Sequence, residues 1–291
     1  MSEVAQETQA FVEAAGMTNV GLARTGNEDA FLIATLQRSL VVQNASAAAK
    51  NEGARDSLAG TLLIVADGMG GEGGGDIASR VAVETVASYL LDALPRAPPV
   101  VVPAGEGTAT SVQAQLFSAI LAGDSRVKEA ARHSSTPRMG TTLTLALVLW
   151  PSLYVAHVGD TRCYLLREGQ FSRLTTDHTM AQKLIDEAVP PVESDSPLHD
   201  VLWNSLGGAE QRPDPQLVEL ELKLGDRLLL CTDGLTKHVS DPEILLALSA
   251  QEPNATQCAR LIELANAGGG SDNVTVLVAN VLSSAPTTHS A

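Results

Sequence analysis

Apolar and polar positions change period several times along the chain. Alternating or β-branched apolar runs predict strands at Ala30–Thr35, Thr61–Ala66, Thr141–Trp150, Leu153–His157, Arg162–Arg167, Leu217–Leu222, Arg227–Cys231 and Val274–Val281. REGQ (167–170) and KLGD (223–226) read as turns between neighbouring strands. Elsewhere the period lengthens to that of a helix. In Asp76–Leu94, the residues Ile77, Val81, Val86, Tyr89, Leu90 and Leu94 follow helical spacing, with Asp76 as a candidate N-cap. Further helices are predicted over Val112–His133, Thr179–Ala188 and Thr256–Ala267. Another opens with Asp241 at the cap and Pro242 at the first helical position. Strands in hairpin-like succession, with helices before and after them, favour an antiparallel α+β architecture over alternating βα units. The polar stretch 37–60, the proline-rich 95–111 and the acidic 188–197 read as loops or insertions. Residues 1–15 and 283–291 read as flexible ends.

Composition narrows the function classes. A chain of 291 residues can build a single core. A net charge of −15 argues against gripping nucleic-acid phosphates or an anionic lipid surface. No apolar run approaches the ~18 residues that span a membrane, and the acidic start does not resemble a signal peptide. Cys163, Cys231 and Cys258 have no metal-like spacing and read as reduced core residues of a cytoplasmic protein.

The stretch VADGMGGEGGGDIAS (65–79) sets Asp67 between a buried strand and a loop nearly without side chains. Such a loop either cradles a phosphate on backbone N–H groups or lets the backbone run close to something else, such as a metal held by Asp67. No Lys-Ser or Lys-Thr follows the glycines, so the metal reading is kept. Other acids stand at strand ends: Glu28 and Asp29, Asp160, Asp233 before Gly234, and Asp272. One such Asp-Gly is an ordinary turn. Converged, the set makes an oxygen-ligand site for hard divalent cations. Arg24, four residues before Glu28, suits bidentate grip on a phosphate.

In chain order, GLARTGNED, VADGMGG, MGTTLTLALV, HVGDTRCYLL, LTTDH, SLGG, LCTDGLTKHVSD and GGSDNVTVLV resemble the metal-dependent type 2C (PPM) Ser/Thr protein phosphatases in their bacterial form, from about Thr18 to Val281. The resemblance implies one catalytic domain over 16–282, folded as two packed antiparallel sheets flanked by pairs of helices, a four-layer sandwich. It implies two Mn²⁺ or Mg²⁺ ions at one edge. Asp67 would bridge both, the Gly68 carbonyl would bind one, and Asp233 and Asp272 the other. Glu28 and Asp29 would hold metal-bound waters, Arg24 the substrate phosphate, and Asp160 a third, weaker ion. The implied reaction is hydrolysis of phosphoserine and phosphothreonine in proteins by a metal-activated water. A monomer in the cytoplasm would oppose a cognate Ser/Thr kinase. No cysteine sits in a CxxxxxR loop, which excludes the cysteine-dependent alternative.

Four features depart from the family pattern. Met69 and Glu72 stand where some members have histidine. Lys237 replaces a common Asp, which predicts a weak or altered third metal site unless it points into solvent. Asn19 replaces an Asp, with a supporting effect at most. The stretches 37–60 and 95–111 are longer than the compact pattern needs. Residues 177–206 match the family's flap, and neither His178 nor His199 within it is assigned as catalytic. Glu72 and Lys237 motivate an alternative: a low-turnover, phosphoprotein-binding regulatory module with the same fold.

Overall fold

The computed structural model describes residues 10–36, 60–70, 73–94, 111–187, 192–193, 196–208 and 212–283. Strand β3 (Gly60–Met69) is buried along most of its length because both its faces are covered. Leu62, Ile64 and Ala66 pack toward helices, and Leu63 and Val65 pack toward a second sheet. β3 lies in a sheet ordered β2 (Asp29–Leu36), β3, β5 (Leu143–Leu149), β6 (Ser152–Val158), β9 (Gln216–Glu221), and the short β4 (Gly140–Thr141) pairs with its end. The other sheet is ordered β1 (Ala10–Asn19), β11 (Val274–Ser283), β10 (Arg227–Cys231), β7 (Arg162–Arg167), β8 (Gln170–Arg173).

Helices α1 (Gly74–Ala93) and α2 (Ser111–Arg132) cover the first sheet through Ala78, Ala82, Val86, Leu90, Leu116 and Ile120. Helices α5 (Asp241–Ser249) and α6 (Asn254–Ala267) cover the second through Ile244, Leu248, Cys258 and Leu261. The result is the α+β, four-layer sandwich expected. α3 (Met180–Asp186) and α4 (Asp233–Thr236) are short elements outside those helix pairs. No helix among the described residues is long and apolar enough to cross a membrane.

Several local expectations need correction. Residues 10–15 are not a flexible end: β1 pairs with β11 from Ala10↔Ser283 to Asn19↔Val274. Its half-exposed, Ala-rich pattern hid it. Gly16 leaves room there for Phe31 of the facing sheet, whose ring would have to shift from a Cβ that came within 2.7 Å of it. REGQ does turn a hairpin, but into β8, a strand too short to read; Glu168 and Gly169 take the positive φ such turns need. KLGD instead joins β9 to β10, which lie in different sheets. Its Asp226 is buried under Arg167, at 2.6 Å. Gly73, not Asp76, caps α1, and Asp76 sits in the first turn, where the helix dipole favours a carboxylate. Ser240, not Asp241, caps α5 through a capping box with Glu243, which moves Pro242 to the second position. Ser283 ends β11. Most of the expected insertions, 37–59 and 95–110, lie outside the described residues, as do 1–9, Glu72 and 284–291.

A buried polar network fixes the crossover between the sheets. His157 donates Nε2–H to the Thr176 carbonyl at 3.0 Å and accepts the Thr144 hydroxyl on Nδ1 at 2.8 Å. The ring is wholly buried and held neutral, with burial the main cause of a pKa lowered to about 3, and His178 beside it adding to the shift. The unfolded chain therefore takes a proton below pH ~6.5 that the folded chain refuses, and stability contributed by the neutral ring is lost as pH falls. His157→Gln removes that linkage. It is expected to be less stable than wild type at pH 7, with the gap closing by roughly 1 kcal/mol per pH unit below about 6.5. Urea unfolding of both proteins at pH 7 and 4.5 checks this. Raised carboxyl pKa values elsewhere act with the opposite sign but are common to both proteins and cancel.

Candidate metal centre

Antiparallel pairing brings the singled-out acids to one edge of the sandwich. Asp29 opens β2 and is the register partner of Asp67 in β3. Asp160 lies in the crossover from β6 to β7, Asp233 opens α4 just after β10, and Asp272 precedes β11. Asp67, Asp160, Asp233 and Asp272 line one cleft of about 1080 Å³ together with Arg24 and Lys237. Glu28 and Gly68 also line it, while Asp29 is turned into the protein.

The backbone explains the glycines. A Cβ on Gly68 would stand 2.1 Å from the Gly75 carbonyl oxygen and 2.6 Å from that of Glu28. The end of β3, the start of α1 and the Glu28 loop therefore cross almost in backbone contact. The Gly68 N–H donates to the Glu28 carbonyl at 3.1 Å. Asp67 is fixed by β4 and the residue after it. Its N–H donates to Thr142 Oγ1 at 2.9 Å, and its carbonyl accepts from Thr141 Oγ1 at 2.8 Å.

Burial and mutual repulsion disfavour the charged forms of most of these carboxylates. Burial pushes the Asp67 carboxyl well above its ordinary pKa, and Asp29, Asp233, Asp160 and Asp272 add repulsion. Burial likewise raises Asp160 to about 8, with Asp233 and Asp177 contributing. Burial raises Asp29 to about 7, against hydrogen bonds from Thr275 Oγ1 at 2.6 Å and Thr232 Oγ1 at 2.9 Å. Burial also raises Asp233, although Lys237 opposes it. Asp272 moves the other way: Lys237 and Arg24 outweigh its burial and hold it below the ordinary value. Asp29 Oδ1 and Asp233 Oδ1 are buried with no hydrogen-bond partner.

Two cations stand on this cluster. Arg24 clamps Asp272 with Nε at 2.9 Å and Nη2 at 3.2 Å, its side chain 54% exposed. Lys237 contacts Asp233 and Asp272, which excludes the solvent-pointing alternative for this lysine. Among the described residues no group of three or more His, Cys, Asp or Glu side chains is placed closely enough to hold a metal ion as it stands. The Lys237 ammonium contacts Asp233 and Asp272, and the Arg24 guanidinium contacts Asp272. The donor set still fits hard divalent ions: carboxylates and a carbonyl, mutual repulsion in need of positive charge, and orphaned buried oxygens.

Sequence reasoning missed the supports. Asn273 donates to the Val20 and Gly26 carbonyls, both at 2.9 Å, and accepts the Glu28 N–H at 2.8 Å. It thereby ties the Asp272 loop to the Arg24–Glu28 loop. Thr232 and Thr275 hold Asp29, and Thr142 holds Asp67. Each lies beside a singled-out acid or inside a quoted motif, which was the available signal. Asn19 accepts the Gly21 N–H at 2.9 Å and shapes the turn leading to Arg24. In the flap region, His178 is buried and accepts from the Gly159 N–H and from Asn204. His199 is exposed against the Glu193 carbonyl. Neither histidine lines the main cleft.

Residues 37–263 match the family model for protein phosphatase 2C. The chain is similar to the serine/threonine protein phosphatase PstP of Mycobacterium tuberculosis, 41% identical over 226 residues, which cover 76% of this chain and 40% of that protein. It thus spans about two fifths of that relative's length. It is also similar to the protein phosphatase PhpP of Streptococcus pneumoniae, 30% identical over 76% of this chain and 86% of that protein. The solved structure of the PstP catalytic domain in complex with two manganese ions superposes with a TM-score of 0.69 at 35% identity, covering 94% of this chain and all of that one.

Proposed function

Because this chain belongs to the protein phosphatase 2C family, we propose that it is a Mn²⁺- or Mg²⁺-dependent protein phosphatase hydrolysing phosphoserine and phosphothreonine, opposing a Ser/Thr kinase. The observation that carries the reading is the convergence of Asp67, Asp160, Asp233 and Asp272 on one cleft, with a buried Asp233 oxygen left unpartnered. Asp67, the Gly68 carbonyl, Asp233 and Asp272 would hold two ions, with Asp160 beside them. When bound, the ions supply an activated water and neutralise charge on the phosphate. Glu28, on the cleft, would orient water, with Asp29 buried behind it on the Thr232 and Thr275 hydroxyls and reaching the water only from the interior side. Arg24, half in solvent, is free to exchange its Asp272 clamp for a bidentate grip on phosphate oxygens. Asn273 keeps the two loops that carry these groups in register.

Hydrolysis of a phosphothreonine peptide tests this. Activity is expected to vanish in EDTA, return with Mn²⁺ or Mg²⁺, and be lost in Asp233→Asn. The second reading, a low-turnover phosphoprotein-binding module, draws on Lys237 sitting on two of the expected ligands. Mn²⁺ binding without turnover on any phosphopeptide would favour it and defeat the enzyme.

A further inference from the structure

Lys237 Nζ stands 2.6 Å from Asp233 Oδ2 and 3.0 Å from Asp272 Oδ2. It follows Asp233 by four residues at the C-cap of α4, so the helical turn carries the ammonium back over the Asp233 carboxylate. The oxygens of this pair are nearly all taken. Asp272 Oδ1 accepts from Arg24 Nε, Asp272 Oδ2 and Asp233 Oδ2 face the ammonium, and Asp233 Oδ1 alone is unpartnered. A second partner waits outside: Asp200 Oδ1, on the flap segment, lies 3.8 Å from the same Nζ and is 69% exposed. Lysine is suited to such exchange, being a compact, strongly hydrated charge on a flexible stem.

We propose that the Lys237 ammonium is a built-in competitor for the divalent ion of the Asp233–Asp272 pair. The pair holds either the lysine or the ion, and the ion's arrival sends the ammonium outward to Asp200. The inference rests on the metal-dependent reading above. Two consequences follow. The metal-free protein carries its own counter-charge, so the buried carboxylates do not need an ion for folding. Ion binding costs displacement of a cation, which raises the ion concentration at which the site fills. Lys237 is thus a positioning residue that sets metal affinity, acting through the ligands rather than on the substrate.

The test is calorimetric titration of the EDTA-stripped full chain with Mn²⁺, together with thermal unfolding with and without the ion. Lys237→Met keeps the stem and removes the charge. It is expected to bind Mn²⁺ about tenfold tighter or better, since a positive charge within a few ångströms of the ion is gone. It is also expected to melt lower than wild type without metal and to gain more from Mn²⁺. Lys237→Gln, which keeps a hydrogen-bond donor, is expected to behave the same way and decides the matter if the Met variant does not fold metal-free. Wild type that binds Mn²⁺ only weakly while the variant binds it well supports the proposal. Equal or weaker Mn²⁺ affinity in the variants, with wild type binding, overturns it while leaving the phosphatase reading intact. Absence of Mn²⁺ binding in wild type and both variants removes the metal-dependent reading and this inference with it.

Discussion

Asp67→Asn is expected to lower kcat/KM on a phosphothreonine peptide by on the order of 10³-fold or more while making the metal-free protein more stable. The two halves come from the same cause. Asp67 is buried among Asp29, Asp233, Asp160 and Asp272, and its charged form is disfavoured by burial and by those neighbours. Asparagine keeps the shape, removes the charge, and offers an N–H₂ to Asp233. The sign follows from linkage. The folded pKa is raised, so the destabilisation is fully present at high pH, where both states are ionised, shrinks as pH falls, and vanishes only below the unfolded value of about 3.9, where both are protonated. The gain in Asp67→Asn is therefore expected to be on the order of 1 kcal/mol or more at pH 8 and close to nothing at pH ~3. Urea unfolding in EDTA at the two pH values measures it. With Mn²⁺ present the order should reverse, because the wild-type carboxylate then gains more from the ion than the amide does. A variant that loses activity and stability together would mean that Asp67 is a packing residue instead.

That trade explains which parts of this molecule could be read from its residues. Acids beside glycines at strand ends break local rules: a carboxylate after a run such as Leu62–Val65 is a costly neighbour for a buried strand unless something compensates. Asp67, Asp233 and Asp272 stood out for that reason. The supports did not, because Thr232, Thr275, Thr142 and Asn273 are ordinary strand and turn residues whose roles arise only across long separations. Asn273 reaches Val20 and Gly26, and Thr275 reaches Asp29. The same limit hid β1, whose pairing partner β11 lies at the other end of the chain. It also set the destination of Lys237. The four-residue spacing from Asp233 put the ammonium within reach of that carboxylate, but Asp272 arrives from another strand. Long apolar strands and amphipathic helices were legible because burial on a fixed face imposes a period on the residues themselves. KLGD was misread because a turn fixes a change of direction and says nothing about which sheet comes next.

Gly68→Ala should be among the most damaging small substitutions near the cleft, costing about 3 kcal/mol or more, roughly 6–12 °C in Tm. The added Cβ meets backbone: the Gly75 oxygen at 2.1 Å, its carbon at 2.4 Å and the Glu28 oxygen at 2.6 Å. Backbone atoms have no rotamer by which to withdraw, so the Glu28 loop or the start of α1 must move. Either movement loosens the N–H bond from Gly68 to Glu28 and the placement of Asp67 one residue away. Two controls separate this crowding from the general effect of adding a methyl group. Gly26→Ala, in the loop before Glu28, has nothing within 4 Å of its Cβ and no positive φ, so it should change stability by less than about 0.5 kcal/mol. Gly169→Ala has equally open space but a φ of +80°, and should cost roughly 1 kcal/mol for backbone conformation alone. The expected order of melting temperatures is therefore Gly26→Ala highest, Gly169→Ala next and Gly68→Ala lowest, with weakened Mn²⁺ binding in the last alone. If Gly68→Ala melts beside Gly26→Ala, the backbone crossing is not as tight as the structure has it. The glycine-rich loop would then need another reason, such as the approach of a substrate.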